Sequence, residues 1–279
     1  MKGTSKITFR RFGEKLFQHS GKETLIESGF NTLDTAIEGF RPGNLYFIGG
    51  RPGMGKTSLM LDMSINIASE YKPVYIFSLD ESEKQLFKKL IAKILTSEFT
   101  LGEKTLYDRE KNIISCMNFA ASLPIYICNI NSIQEIAEAI KEEIREGIIF
   151  IDYLQLISKG DDYQNGHKNW STRQAFLYRS LKKLAVQSGL PVVVMSQLSR
   201  DIEFRADKHP TIKDVKCESI IENSDVIILM YRADYYRHFE NDNEKNLMTG
   251  TRFMNLNMIP FENQVADYVK KTNKHVRYR

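Results

Sequence analysis

Six short apolar runs rich in β-branched residues recur along the chain, and segments with helical periodicity separate them. The runs are NLYFIGG (44–50), PVYIFSL (73–79), PIYICNI (124–130), GIIFIDY (147–153), PVVVMSQ (191–197) and DVIILMY (225–231). Apolar runs of this length without polar alternation are typical of strands buried on both faces of a sheet. The pattern therefore predicts a mostly parallel sheet.

Three of the segments between these runs have the apolar spacing of α-helices. Residues 57–68 carry apolar side chains on nearly every side, which predicts a largely buried helix. Residues 133–145 and 176–188 each have one apolar face, which is typical of a helix that packs on a sheet. Because strands and helices alternate, we expect one doubly wound α/β domain over residues 24–279, a twisted sheet with helices on both faces.

The first 23 residues stand outside this alternation. The stretch TFRRFGEKLF (8–17) has apolar residues at helical spacing, but it is too short to build a core of its own. A helix packed on its own domain is one interpretation of residues 1–23. An arm that docks on a neighbouring subunit is the other.

The composition excludes several classes of protein. Apolar content of 42% and charged content of 27% are ordinary for a soluble globular protein, and no run of apolar residues is long enough to span a membrane. The basic start of the chain is not followed by the apolar segment of a secretory signal. The three cysteines have no metal-ligand spacing, which predicts reduced thiols in a cytoplasmic protein.

Charge is concentrated at the two ends, although the net charge is only +4. The first 22 residues carry six Lys and Arg against one acid, and the last ten carry five and no acid. Basic ends of this kind can contact nucleic acid or a neighbouring subunit, or they can simply be solvated tails. Charge alone leaves these alternatives open.

Residues 50–57 read GRPGMGKT and fit the phosphate-binding pattern G-x-x-x-x-G-K-[ST]. Its glycines let backbone N–H groups turn toward phosphate oxygens, its lysine supplies a positive charge, and its hydroxyl is a Mg²⁺ ligand. An apolar strand precedes the pattern and a long apolar helix follows, so a phosphate would also lie at a helix N-terminus. The predicted nucleotide-binding residues are Gly50, Arg51, Pro52, Gly53, Met54, Gly55, Lys56, Thr57 and Ser58.

A second element of a nucleotide site follows in the run that ends IIFID. This apolar run ends in Asp152, the placement of a carboxylate that anchors Mg²⁺ beside a P-loop. Many strands end in aspartate, so the signal is weak alone. Together with the P-loop, it predicts that the protein binds a nucleotide, most simply ATP, with Mg²⁺.

Five stretches between residues 28 and 236 carry a more specific signal. They are SGFNTLDTAIEGFRPGNLYFIGGRPGMGKTS, VYIFSLDESEKQLFKKL, IIFIDYLQLI, LKKLAVQSGLPVVVMSQLSRDIEFRADKHPTIKDV and SDVIILMYRADYY. In this order they resemble the successive motifs of the RecA-like motor domain of DnaB-type replicative DNA helicases. RecA-type recombinases and KaiC-like ATPases share the P-loop and the strand-end aspartate, but not the later motifs.

The resemblance implies a RecA-like P-loop NTPase that forms a hexameric ring, hydrolyses ATP with Mg²⁺ and translocates on single-stranded DNA during replication. It implies that Lys56 and Thr57 bind the triphosphate and Mg²⁺, with Asp152 as the second Mg²⁺ anchor. Gln197 would sense the γ-phosphate, and Arg232 would lie near the nucleotide. Primase and a helicase loader are possible partners.

The resemblance also implies that the loops after Asp152 and Gln197 line a central channel. Cations in such loops suit contact with a phosphate backbone without base readout, and solvated loop charge is the alternative interpretation. The candidate DNA-binding residues are Lys159, Lys168, Arg200, Arg205, Lys208 and Lys213.

The chain departs from the family pattern in three places. The family has an additional N-terminal helical domain, whereas about two dozen residues precede the motor motifs here. Where the family has a glutamate that polarises the attacking water, this chain has Asp80, and Glu81, which follows it, is the alternative catalytic acid if the turn allows it to substitute. Because aspartate is shorter, a displacement of about 1 Å at this group would cost on the order of a hundredfold in rate.

The third departure concerns the Lys and Arg that reach the neighbouring subunit's γ-phosphate in the family. Counted back from NKHV without a gap, Asn255 and Asn257 occupy these positions, although a shifted alignment would bring in Arg252. Loss of such a cation costs roughly 10³–10⁵ in turnover. The alternative function is therefore a hydrolysis-impaired, nucleotide-gated DNA-binding or assembly subunit.

Overall fold

The computed structural model describes residues 25–98, 106–129, 132–152, 170–233 and 235–236, with side chains except at 96–98, 106–113 and 170–174. The predicted arm at residues 1–23 lies outside the described residues. So do five of the residues discussed above: Lys159, Lys168, Arg252, Asn255 and Asn257.

Strands and helices alternate along the described chain. The strands are β1 (Leu45–Gly50), β2 (Val74–Ser78), β3 (Ile125–Cys128), β4 (Ile148–Asp152), β5 (Val192–Gln197) and β6 (Val226–Leu229). The helices are α1 (Asn31–Ile37), α2 (Lys56–Ser69), α3 (Glu83–Glu98), α4 (Leu106–Ser122), α5 (Ile133–Glu142), α6 (Trp170–Ser188) and α7 (Glu218–Asn223). Two short 3₁₀ helices, Arg200–Phe204 and Ile212–Asp214, follow β5.

The six strands form one parallel sheet in the order β3-β2-β4-β5-β1-β6. β1 and β2 are separated by β4 and β5, and β6 then joins the other side of β1. In such sheets the carboxyl ends of all strands lie at one edge, and ligands bind there at the point where the strand order reverses.

The sheet carries a hydrophobic core on each face. On one face, Leu59 of α2, Leu86 of α3 and Cys116 of α4 pack in a single buried cluster. On the other face, Ile136 of α5 and Leu181 of α6 belong to a second buried cluster. The predicted α/β class, with a parallel sheet and helices on both faces, is confirmed.

The prediction that every strand is buried on both faces is wrong for β3. This strand lies at the edge of the sheet, and Tyr126 in its centre is 51% exposed. Its ring stacks on Tyr75 of β2, with the ring centroids 5.0 Å apart. Tyr126 is directly opposite Tyr75 in the β2–β3 pairing, so this stack is a cross-strand contact on one face of the sheet.

Helix boundaries also differ from their predictions. The helix predicted over 176–188 begins six residues earlier, at Trp170, and the one predicted over 133–145 ends at Glu142. Of the helices in the described part of the chain, none is long and apolar enough to cross a lipid bilayer.

A candidate nucleotide-binding site

Four strands bring the predicted site residues to one edge of the sheet. β1 ends at Gly50, which is directly opposite Gln197 at the end of β5. β4 ends at Asp152, which is opposite Ser78 at the end of β2. The P-loop, the strand-end aspartate and the predicted γ-phosphate sensor are therefore neighbours, although they are distant in sequence.

The P-loop passes from β1 directly into α2. Gly53 and Gly55 have φ angles of +77° and +93°, which glycine adopts without strain. Gly55 caps α2 without a side-chain hydrogen bond, and Thr57 and Ser58 lie in the first turn of that helix. The first backbone N–H groups of α2 thus have no capping side chain, which is the arrangement that binds phosphate at helix N-termini.

The Lys56 ammonium group lies across the P-loop. It donates hydrogen bonds to the carbonyl oxygens of Gly50, at 2.9 Å, and Arg51, at 3.2 Å. Burial lowers the pKa of Lys56 to about 8; Asp152 opposes this effect, and Arg51 adds to it. Lys56 is therefore a cation held against backbone carbonyls of the P-loop.

Thr57 and Asp152 connect the start of α2 to the end of β4. The Thr57 hydroxyl donates a hydrogen bond of 2.8 Å to Oδ2 of Asp152. Asp152 is 5% exposed, and burial raises its pKa, while the Thr57 hydrogen bond and the charge of Lys56 act in the opposite direction. A hydroxyl and a carboxylate are oxygen ligands of the kind that Mg²⁺ prefers, so this pair fits the predicted metal position.

The Arg51 side chain is held away from phosphate contact by the segment that follows β5. Its Nε donates to Glu203 at 2.8 Å and its Nη1 to the carbonyl of Leu198 at 2.9 Å, and the side chain is almost fully buried. Arg51 can therefore contact a phosphate only through its main chain. Pro52, which follows it, has no N–H group to donate. Neither the contact between Arg51 and Glu203 nor the burial of the Arg51 side chain was evident from the sequence.

Two residues after β6 cover the other side of the P-loop. Arg232 donates from Nη1 to the carbonyl of Gly53 at 3.2 Å. A Cβ atom at Gly53 would lie 2.7 Å from Cε2 of Tyr235, so this glycine is also required by close contact. Met54 is buried beside them, and its N–H donates to the carbonyl of Arg51 at 3.2 Å. Arg232 thus lies against the nucleotide loop.

The four described candidates for DNA contact are not equivalent. Arg200 and Lys213 are exposed on the two 3₁₀ helices after β5. Arg205 instead pairs with the buried Asp214 at 2.9 Å. Lys208 donates to the carbonyl of Arg205 at 3.1 Å, so these two cations are used in holding the segment together. Arg200 and Lys213 are the better candidates for an external phosphate.

The lowered pKa of Lys56 predicts pH-dependent nucleotide binding. A bound phosphate favours the charged ammonium, so below about pH 7 the lysine is protonated before and after binding and no proton is exchanged. Above pH 8 the free protein has lost this proton, and binding must restore it. We expect ADP affinity to fall by up to about tenfold per pH unit above pH 8. Calorimetry in buffers of different ionisation enthalpy should then register proton uptake.

The control for this prediction is Lys56→Arg, whose guanidinium stays charged throughout this pH range. Its ADP affinity, weaker or not, should be independent of pH between 7 and 9. Equal pH dependence of the two proteins would assign the titration to another group.

Fold and site together define a P-loop nucleotide-binding protein with a RecA-like sheet. Residues 26–260 match the family model described as the DnaB-like helicase C terminal domain, and the chain belongs to this family.

Individual proteins similar to this chain are described as replicative DNA helicases. Replicative DNA helicase DnaB of Geobacillus stearothermophilus is 34% identical over 242 residues, which are 82% of this chain and 52% of the relative. A probable replicative DNA helicase of Trieres chinensis is 34% identical over 232 residues, 80% of this chain and 50% of the relative. The chain spans about half the length of these relatives.

Two solved structures are similar over 88% of this chain at 25% sequence identity. One is described as an ATPase domain, with a TM-score of 0.67 over 88% of its own chain. The other is a DnaB-like replicative helicase described with its interactions with primase, with a TM-score of 0.69 over 60% of its chain.

Proposed function

We propose that the chain is the motor of an ATP-dependent replicative DNA helicase, which binds and hydrolyses ATP with Mg²⁺ and moves on single-stranded DNA. The observation that carries this proposal is the hydrogen bond between Thr57 and Asp152. It joins the two elements that a P-loop ATPase needs to hold a metal–triphosphate complex, although the two residues are 95 positions apart in the sequence.

The roles of the site residues follow from their positions. Lys56 would exchange its two carbonyl partners for the β- and γ-phosphates, and backbone N–H groups of the P-loop and α2 would bind the remaining oxygens. Thr57 and Asp152 would hold Mg²⁺, directly or through water. When bound, Mg²⁺ neutralises charge that develops on the phosphate oxygens. Gln197, opposite Gly50, would contact the γ-phosphate.

Contact with DNA is proposed for the segment after β5, with Arg200 and Lys213 as the exposed cations. Because this segment also binds Arg51 through Glu203, it is attached to the P-loop from which hydrolysis would drive movement. Assembly as a hexameric ring and contact with primase are proposed by analogy with the family and with the structural relative named above.

The test is ATP hydrolysis by the purified chain with and without single-stranded DNA, with the oligomeric mass measured in the same buffer. We expect DNA to stimulate turnover and a forked duplex to be unwound in the presence of ATP and Mg²⁺. Tight ATP binding without turnover, with or without DNA, would contradict the proposal.

A second candidate function is a nucleotide-gated subunit that binds ATP without hydrolysing it efficiently. The observation that favours it is Asp80, which is exposed to solvent at the position where the family has its water-polarising glutamate. The same measurement separates the two functions, because only the motor shows DNA-stimulated turnover.

A further inference from the structure

The segment that follows β5 is attached to the P-loop through Leu198. The N–H of Leu198 donates to the carbonyl of Gly50 at 3.4 Å, and the Leu198 carbonyl accepts from Nη1 of Arg51 at 2.9 Å. The carbonyls of Gly50 and Arg51 both accept from Lys56. The residue after Gln197 is therefore bonded to the two P-loop residues on which the Lys56 ammonium rests.

A second attachment joins the P-loop to the 3₁₀ helix Arg200–Phe204. Nε and Nη2 of Arg51 lie 2.8 and 2.7 Å from Oε1 of Glu203. The Arg51 side chain is 5% exposed and that of Glu203 is 39% exposed, so the pair is enclosed on the side of the P-loop and open on the other. Hydrogen bonds between two charged groups are roughly twice as strong as neutral ones. The pair therefore ties the 3₁₀ helix firmly to the P-loop.

Asp214 braces the segment 199–214 from within. Its buried carboxylate accepts from the N–H of Thr211 at 2.6 Å and from Nη2 of Arg205 at 2.9 Å. Its carbonyl accepts from the N–H of Ser199 at 3.0 Å, which joins the two ends of the segment. Contiguous hydrogen bonds of this kind make a segment respond as a unit. A shift at the exposed cations of this segment is therefore expected to displace the 3₁₀ helix that binds the P-loop.

We propose that Glu203 is a positioning residue through which DNA stimulates ATP hydrolysis. A strand bound to the exposed cations shifts the segment 199–214, and Glu203 transmits the shift to the Arg51 side chain. The main chain of Arg51 carries one of the two carbonyls that hold Lys56, so the shift reaches the phosphate site. This inference rests on the proposed motor function, and it assigns the effect of DNA to one contact.

This contact is separate from the groups that shape the P-loop itself. The start of the P-loop is fixed by the pairing of β1 with β5, and its end by α2. Lys56 rests on carbonyls of the P-loop backbone. Loss of the Glu203 carboxylate is therefore expected to lower the stimulation by DNA while turnover without DNA continues.

The test compares Glu203→Ala with Asp201→Ala in the full chain, with ATP turnover measured without DNA and at a saturating concentration of single-stranded oligothymidine. Asp201 lies on the same 3₁₀ helix, and its carboxylate accepts from the Ser199 hydroxyl at 2.7 Å. Both variants remove one negative charge from the same surface, so any electrostatic effect on DNA is common to them. Glu203→Ala also removes the contact with Arg51.

The quantity that decides is the ratio of kcat with DNA to kcat without DNA. For Glu203→Ala we expect this ratio to fall by on the order of tenfold, a typical size for coupling between two sites. Its turnover without DNA should stay within about threefold of the wild type. For Asp201→Ala the ratio should stay within about twofold of the wild type. Because DNA is saturating, a change in the affinity for DNA does not enter the ratio.

Glu203→Gln is the conservative variant. Its amide oxygen can accept from Arg51, but without the charge that strengthens these bonds. We expect a ratio between those of Glu203→Ala and the wild type, with the ADP affinity and the midpoint of thermal unfolding close to the wild-type values. Should Glu203→Ala fail to fold, the ratio for Glu203→Gln against that for Asp201→Asn makes the same comparison.

Three results would overturn the inference alone. Wild-type stimulation in Glu203→Ala would show that another contact carries the effect of DNA. Equal losses of stimulation in Glu203→Ala and Asp201→Ala would assign the effect to surface charge. An equal fall of turnover with and without DNA, with a lower thermal midpoint, would make Glu203 a merely structural residue.

The failure of the proposed function is a different result. A wild-type chain whose turnover does not respond to DNA would overturn the motor function and this inference with it. That result is visible before any substitution is made.

Discussion

Lys56→Ala is expected to lower DNA-stimulated ATP turnover at least a hundredfold. Among the described residues, Lys56 is the lysine whose ammonium donates hydrogen bonds within the P-loop. Removal of a preorganised charge from a phosphoryl-transfer site costs about 10²–10³ or more in rate. Nucleotide affinity should fall as well, since the charge also meets the ground-state triphosphate. Steady-state hydrolysis and ADP calorimetry measure the two effects separately.

Lys72→Ala is the matched control for this prediction. Lys72 lies just before β2, at the opposite edge of the sheet from the P-loop, and its ammonium contacts only the carbonyl of Leu25, at 3.5 Å, among the contacts resolved for it. Turnover within about twofold of the wild type is expected, because surface substitutions of this kind have small effects. If both variants lost activity equally, the loss would report damage to the fold and not to the phosphate site.

Gly147→Ala is expected to cost the largest amount of stability among single alanine substitutions at the loop glycines that the structure describes. Gly147 precedes β4 with a φ angle of +102°, and a Cβ atom there would lie 2.1 Å from the carbonyl oxygen of Pro73. That oxygen accepts the N–H of Ile148 at 3.0 Å, so it cannot retreat without breaking the first bond of the β2–β4 pair. Strain and clash together should lower the free energy of unfolding by about 3 kcal/mol or more.

Gly189→Ala separates the cost of backbone strain from the cost of the steric clash. Gly189 also has a positive φ, +70°, but no atom lies within 4 Å of the Cβ position. Its substitution should therefore cost only the conformational term, about 1 kcal/mol. Urea unfolding of the two variants measures the difference, and equal costs would show that the backbone at Pro73 adjusts to the new methyl group.

The parts of the site that could be predicted from sequence are those encoded locally. The phosphate loop is a contiguous pattern, and the apolar runs on either side of it place it between a strand and a helix. Asp152 is 95 residues from Thr57, yet both are predictable because Asp152 ends one strand, Thr57 lies in the helix that follows the P-loop after another, and parallel strands end at a common edge.

Contacts between side chains from different segments could not be predicted in this way. Arg51 and Glu203 are 152 residues apart, and no periodicity relates an arginine in the P-loop to a glutamate in a 3₁₀ helix. The different surroundings of the Glu81 and Asp80 side chains could not be predicted from sequence either. Which of these adjacent residues is enclosed depends on two contacts rather than on local sequence. The Ser78 hydroxyl donates to the carbonyl of Glu81, and Lys89 pairs with the Glu81 carboxylate.

The edge position of β3 was beyond sequence analysis for a related reason. Its residues are as apolar as those of the central strands, so the pattern contains no mark of the neighbour that is missing. Strand order is decided by crossover connections and by packing on both faces. Tyr75 and Tyr126 stack because that order places β3 beside β2.

The ion pair between Arg51 and Glu203 has a thermodynamic consequence for the whole molecule. It joins the loop that would hold ATP to the segment that carries Arg200, so a shift of either one changes the free energy of the other. Linkage of this kind is reciprocal. Under the proposed function, the factor by which ATP changes the affinity for DNA equals the factor by which DNA changes the affinity for ATP, and Glu203→Gln is expected to reduce both factors equally.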